Sequence, residues 1–196
     1  MRPSPAARPE YVAAFGEIAA RIAQPLAALP KPTLPIKMFV AGGAALHFYT
    51  GARISKDIDA AFSHRILLPE NLEVTYRDAD GAARLLYFDR QYSETFALMH
   101  EDAHDDSVPL TLKGVDASVL DVRLLSALDL AVSKISRFTS QDREDIETLA
   151  KHGLIRSTQL RKRAEHAAGG YVGNLDNLRS LIDLACRIVT DIGKSR

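Results

Sequence analysis

FVAGGAALHFYTGARISKDIDAAF, residues 39–62, is the stretch on which the fold turns. Ile36–Val40 reads as a short buried strand that stops at Gly42-Gly43, where a tight turn follows. Glycines lack a Cβ, so the backbone N–H groups there can approach a phosphate, and the short helix predicted over Ala44–Tyr49 adds a partly positive N-terminus. Fourteen residues after Gly43 comes Asp57-Ile58-Asp59, opening a second predicted strand, Ile58–Phe62. Strand periodicity puts both carboxylates on one face and sends Ile58 into the core. Two like charges on one face repel unless a cation sits between them, and hard oxygen donors suit Mg²⁺, which takes few protein ligands and completes its shell with water and phosphate. The plainer reading is a solvated strand end bearing two harmless aspartates.

Outward from this stretch the pattern is mixed. A first helix runs from about Pro9, with Val12, Phe15, Ile18, Ile22 and Leu26 at helical spacing, and Pro25 kinks or ends it. The proline-rich link 29–35 excludes helix. Leu72–Tyr76 and Arg84–Phe88 alternate around Asp78-Ala79-Asp80-Gly81 and predict a hairpin. Further short strands are expected over Phe96–Met99, Val108–Leu112 and Ala117–Val122. From Ser126 the period becomes helical: Ser126 caps a helix to about Arg137, and Ser140–Lys151, residues 157–168 and a last helix from Asn174 follow. The expected architecture is α+β, with a small mixed β-sheet core over residues 1–125 and a C-terminal helical bundle over 126–196 packed on it as one compact unit.

Composition narrows the function classes. With 25 Lys plus Arg against 25 Asp plus Glu, no global charge favours a polyanion, so any such site is local. Residues 57–106 carry twelve Asp/Glu against four Arg and no Lys, while 151–196 carry nine Lys/Arg against four acids. An acidic middle and a basic tail suit either two solvated faces or separate places for cations and polyanions. The one cysteine, Cys186, excludes an internal disulfide and fits a reducing compartment. The first residues lack an apolar signal core and no stretch reaches about 18 apolar residues, so a cytoplasmic protein with no membrane partner is expected.

The order Gly42-Gly43-Ala44-Ala45-Leu46, Tyr49, Arg53-Ile54-Ser55-Lys56-Asp57-Ile58-Asp59 resembles the polymerase-β-like nucleotidyltransferase superfamily, and is most similar to AbiEii-like toxins and related nucleotidyltransferase-like proteins. LDLAVSKISRFTSQDREDIETLAKHGLI, residues 128–155, is similar to the helical part of the same relatives, although Asp142-Arg143 reverses their Arg-Asp order. The resemblance covers roughly residues 36–155. It implies a Mg²⁺-dependent enzyme that moves a nucleoside monophosphate from an NTP to an acceptor such as tRNA, protein or a small molecule. It implies two metal ions held by Asp57, Asp59 and a third carboxylate, Asp89 or else Asp121. Gly42, Gly43 and Ser55 would cradle the nucleotide, with Lys134, Arg137 and Asp142 contributing from the helical half and Lys134 neutralising the leaving pyrophosphate. A toxin–antitoxin or abortive-infection role, with a cognate antitoxin or toxin, is implied by resemblance only. The alternative is an inactive nucleotide-binding or protein-binding module, such as an antitoxin-like partner.

Other residues carry weaker signals. Lys134 and Arg137 lie three apart on one helix face, so both can reach one phosphate-bearing site. Asp142 and Asp145 are also three apart, and an ordinary ion-paired face accounts for them equally well. His100 and His104, in an acidic loop, read as solvated rather than metal-binding, and His47 reads as structural. Tyr87 and Tyr92 flank Asp89 as packing or base-stacking rings, and Arg161-Lys162-Arg163 is a solvated face or an RNA contact.

Overall fold

A computed structural model describes residues 1–94 and 97–194. The chain divides into two compact units, Met1–Tyr92 with Ser107–Leu124, and Ser93–Asp106 with Leu125–Arg196. The acidic segment Ser93–Asp106 thus belongs with the helices that follow Leu124 rather than with the strands around it.

The first unit is built on α1 (Pro9–Leu26) and two small sheets. Pro9 opens α1 at the position where a missing N–H costs nothing, and Pro25 lies in its last turn, so the helix runs on to Leu26 before it stops. Phe15, Ile18 and Ile22 are fully buried as expected, each contributing roughly 1.5–3 kcal/mol of burial, while in the first turn Tyr11 rather than Val12 takes the fully buried position. The proline link contains a single 3-10 turn, Lys31–Thr33. β1 (Ile36–Val40) has the predicted bounds, and α2 (Gly42–Thr50) begins two residues earlier than its sequence suggested because Gly42 accepts φ +58°.

The predicted strand Ile58–Phe62 is two short strands that belong to different sheets. β2 (Asp57–Ile58) pairs in parallel with β5 (Ala83–Phe88), and β3 (Ala60–Phe62) pairs antiparallel with β1. Asp59 sits at the changeover, with its carbonyl accepting from Ala41 N–H at 2.8 Å. The hairpin of β4 (Glu73–Arg77) and β5 forms as expected around Gly81, whose φ is +81°. β7 (Leu120–Leu124) runs parallel to β1 and antiparallel to β6 (Val108–Pro109). The sheets are therefore ordered β3-β1-β7-β6 and β2-β5-β4.

Three strand expectations differ from this outcome. The strand expected over Val108–Leu112 is only Val108–Pro109, although Leu110 N–H still donates to the Val122 carbonyl at 2.7 Å. The strand expected from Ala117 begins at Leu120, after a turn in which Asp116 accepts from Ser118. Of Phe96–Met99, Phe96 lies outside the described residues, and 97–99 form no strand.

The second unit is helical: α3 (Ala127–Ser133), α4 (Ser140–Lys151), α5 (Ser157–Ala167) and α6 (Leu175–Lys194). Ser126 caps α3 by accepting from Asp129 N–H, and α4 starts with a full capping box between Thr139 and Asp142. α3 stops at Ser133 instead of Arg137, and Phe138, at φ +47°, redirects the chain into α4. Leu130, Ile146, Leu149, Leu160, Ile182 and Val189 bury the faces of these helices. Among the described residues, no helix is long and apolar enough to cross a membrane.

Candidate functional site

The α2 N-terminus and the Asp57-Ile58-Asp59 segment meet within the first unit. Ile58 is fully buried, and the aspartates on either side of it are only partly buried. The Ser55 hydroxyl, itself buried, donates a short hydrogen bond to Asp57 Oδ1 and so fixes that carboxylate.

The two glycines have a sharper purpose here than a generic phosphate turn. A Cβ on Gly42 would stand 1.9 Å from Asp59 Oδ2, and one on Gly43 would stand 2.8 Å from Ser55 Cβ and 2.9 Å from Arg53 Nη1. The bare backbone thus lets the start of α2 press against both the carboxylate strand and the loop before it. Gly42→Ala should cost about 1–2 kcal/mol for its left-handed backbone alone, and should push Asp59 aside. Urea unfolding with a parallel Mg²⁺ titration checks this, and unchanged Mg²⁺ affinity would mean that Asp59 does not depend on the glycine.

Asp89 lies beside this pair. β2 and β5 register Asp57 with Tyr87 and Ile58 with Phe88, and Asp89 N–H donates to the Ile58 carbonyl at 3.0 Å. Asp89 is therefore next in register to Asp59, on the same face. Its Oδ1 accepts from Gln91 N–H at 2.8 Å. Asp121, on β7, instead pairs with Arg123 at 3.0 Å. Among the described residues no three His, Cys, Asp or Glu side chains converge as a ready-made metal cluster. Two outward carboxylates still suit Mg²⁺, which commonly takes one or two protein carboxylates alongside substrate phosphate.

His47 is a structural residue, as its sequence context suggested. It is fully buried; Nδ1 lies 2.9 Å from the Arg53 carbonyl, and Nε2 accepts from Arg8 N–H at 3.0 Å. Those partners require the neutral tautomer protonated on Nδ1. It ties the start of α1 to the loop carrying Arg53 and Ser55. Burial holds its pKa below the ordinary 6.5, opposed by the Arg53 carbonyl, with Arg8 lowering it further and Asp78 raising it. For a base with a depressed folded pKa, the unfolded chain binds the proton more readily, so this contribution is complete above 6.5 and is lost as pH falls. An NMR titration of the six histidines should find the His47 imidazole titrating below 6.5; a midpoint at or above that value contradicts the assignment.

The helical-half residues are found together in the second unit. Lys134, only 4% exposed, places Nζ 2.6 Å from Asp145 and 3.8 Å from Asp142. Arg137 donates to both oxygens of Asp142, at 2.9 and 2.7 Å, and Thr139 N–H and Oγ1 also donate to that carboxylate. The sequence reading directed Lys134, Arg137 and Asp142 at a nucleotide; in the structure these charges neutralise one another.

The basic run behaves similarly. Arg161 pairs with Asp183 at 2.7 Å, and Arg163 pairs with Asp129 and Asp106 at 2.7 Å each. His104 pairs with Glu94 at 2.9 Å, and His100 contacts His166. Arg53 stands in the motif, but its place over Gly43 was not legible.

A model of the family described as "Nucleotidyltransferase of unknown function (DUF6036)" matches residues 19–185, spanning the glycine turn, the aspartate segment and the helical unit to within α6. Comparisons with curated proteins and with solved structures gave no match. The chain belongs to this nucleotidyltransferase family.

Proposed function

We propose that the chain is a Mg²⁺-dependent nucleotidyltransferase that moves a nucleoside monophosphate from an NTP to a hydroxyl acceptor and releases pyrophosphate. The observation that carries this is the apposition of Gly42 to Asp59, with Asp57, two residues before it, held by Ser55. Asp57 and Asp59 would hold Mg²⁺, and Asp89, one strand away, is the third carboxylate for a second ion once it turns from Gln91. Mg²⁺ bound there would neutralise triphosphate charge and lower the acceptor's pKa. The chain's own part is to orient: Ser55 fixes Asp57, and the Gly42-Gly43 backbone offers N–H groups toward phosphate oxygens. Arg53, whose guanidinium lies over Gly43, supplies a cation within this unit for the outer phosphates.

The resemblance to AbiEii-like toxins makes a cytoplasmic growth-regulating role, with a cognate partner, part of this reading. The acceptor is tRNA, protein or a small molecule. Each α-³²P-labelled NTP, incubated with the chain, Mg²⁺ and either total tRNA or lysate, should label one acceptor class. The engagement of Asp89 by Gln91 favours the inactive binding module, which predicts Mg²⁺-dependent NTP binding with no label transferred under any of these conditions.

A further inference from the structure

A row of side chains leads away from the candidate site across the sheet β2-β5-β4. Tyr87 on β5 stands in register with Asp57 on β2 and with Glu73 on β4, and its N–H donates to the Lys56 carbonyl at 2.9 Å. Residues in register on paired strands project from the same face. Burial agrees: Ile58, Val74, Leu86 and Phe88 are buried, whereas Asp57 and Tyr87 are half-buried and Glu73 is exposed. Two strand spacings, roughly 10 Å, separate the backbones of Asp57 and Glu73, a span that a ribose and its base can bridge.

Tyr87 also lines a cavity of about 450 Å³ whose other walls include Glu70, Asn71, Glu73 and Arg90. That volume lies within the range of small-molecule sites. The walls are held from two sides. Arg21 on α1 donates to Asn71 Oδ1 and to the Glu73 carbonyl, each at 3.0 Å, while Arg90 donates to the Pro69 carbonyl and, at 3.0 Å, to that of Glu70. Arg90 is thus engaged on backbone oxygens, and the carboxylates of Glu70 and Glu73 disfavour a phosphate. What suits this cavity is the uncharged end of a nucleotide, with hydroxyl and amino groups that donate to carboxylates and an aromatic face for the Tyr87 ring.

We propose that this cavity is the nucleoside subsite, in which the Tyr87 ring stacks on the base while the triphosphate lies at Asp57 and Asp59. This rests on the nucleotidyltransferase reading above and adds to it the place of the base. Register makes Asp57 and Tyr87 strand neighbours, so the cation site and the stacking ring are set one strand apart by the backbone itself.

The test separates the nucleoside from its phosphates. Non-hydrolysable analogues of the four NTPs, and inorganic tripolyphosphate, are each titrated with Mg²⁺ into the full chain by calorimetry. Tyr87→Leu should bind the tightest of the analogues about tenfold more weakly than wild type and tripolyphosphate equally well. Tyr87→Phe, which keeps a ring, should bind both as wild type does. In wild type, intermolecular NOEs should join base protons of the bound analogue to the tyrosine ring signals that Tyr87→Phe alters. Unchanged analogue affinity in Tyr87→Leu overturns the proposal, as does an equal loss of both ligands in a variant that melts like wild type. Should Tyr87→Leu melt lower, the NOEs decide, and their absence overturns it as well. Wild type that binds neither an analogue nor tripolyphosphate with Mg²⁺ would instead remove the carboxylate reading on which the subsite stands.

Discussion

Asp57→Asn and Asp59→Asn should each abolish Mg²⁺-dependent nucleotide binding and reduce nucleotidyl transfer by on the order of 10³ or more, while the fold survives. The reasoning is electrostatic. Asn keeps the size of Asp and, at position 57, can still accept from the Ser55 hydroxyl. What disappears is the negative charge that makes the outward face of this strand attractive to a hard divalent cation. At position 57 the removed charge stands near that of Asp59 and the Ser55 hydrogen bond can be kept, so the melting temperature of cation-free Asp57→Asn should match or exceed that of wild type. Thermal melts with and without Mg²⁺ plus NTP decide the matter. If the ligands stabilise wild type and both variants equally, the carboxylates do not form the cation site.

The parts of this site that could be read in advance are those governed by neighbours in sequence. β1 was legible because a five-residue stretch, apolar except for Lys37, is bounded by a proline link on one side and glycines on the other. α4 was legible from Ser140 to Lys151 because Gly153 marks its stop, while the capping box of Thr139 with Asp142 that seals its start emerged only in the structure. The burial of Ile58 between the less buried Asp57 and Asp59 was legible because alternation is a property of extended backbone alone, whatever it pairs with.

That independence also hid the changeover at Asp59. The residues 57–62 alternate identically whether they pair with β1 throughout or, as observed, pass from β5 to β1. The glycines announced a close approach but could not say what approaches; Asp59, Ser55 and Arg53 were fixed only by the fold.

Lys134→Met should destabilise the helical unit by about 3–5 kcal/mol, because it removes the cation from a buried pair and leaves the partner charge uncompensated. Lys134, Asp145 and Asp142 are all 4% exposed or less, so screening by water does little to soften the loss. Asp142 retains Arg137 and Thr139, whose hydrogen bonds outweigh the cost of burial and hold its pKa down to about 2. Asp145 bears the damage, since Lys134 lies against its Oδ2 and Gln141 donates to its Oδ1 at 3.2 Å. Two consequences follow from this assignment. Lys134→Met/Asp145→Asn should recover part of the loss, giving a coupling energy of about 1–3 kcal/mol in a double-mutant cycle. The deficit of the single variant should also shrink as pH is lowered, because a buried carboxylate without its cation takes up a proton more readily. The Asp142 contribution has the opposite dependence: a depressed folded pKa gives stability that is complete above 3.8 and lost as pH falls toward about 2. Measuring the single variant between pH 7 and 4 therefore isolates Asp145, and a deficit that stays constant over that range would mean the lysine stem, not its charge, holds these helices together. Nucleotide affinity measured on the same variant separates this role from the one the sequence suggested: a melting temperature near wild type with lost NTP binding would return Lys134 to the phosphates.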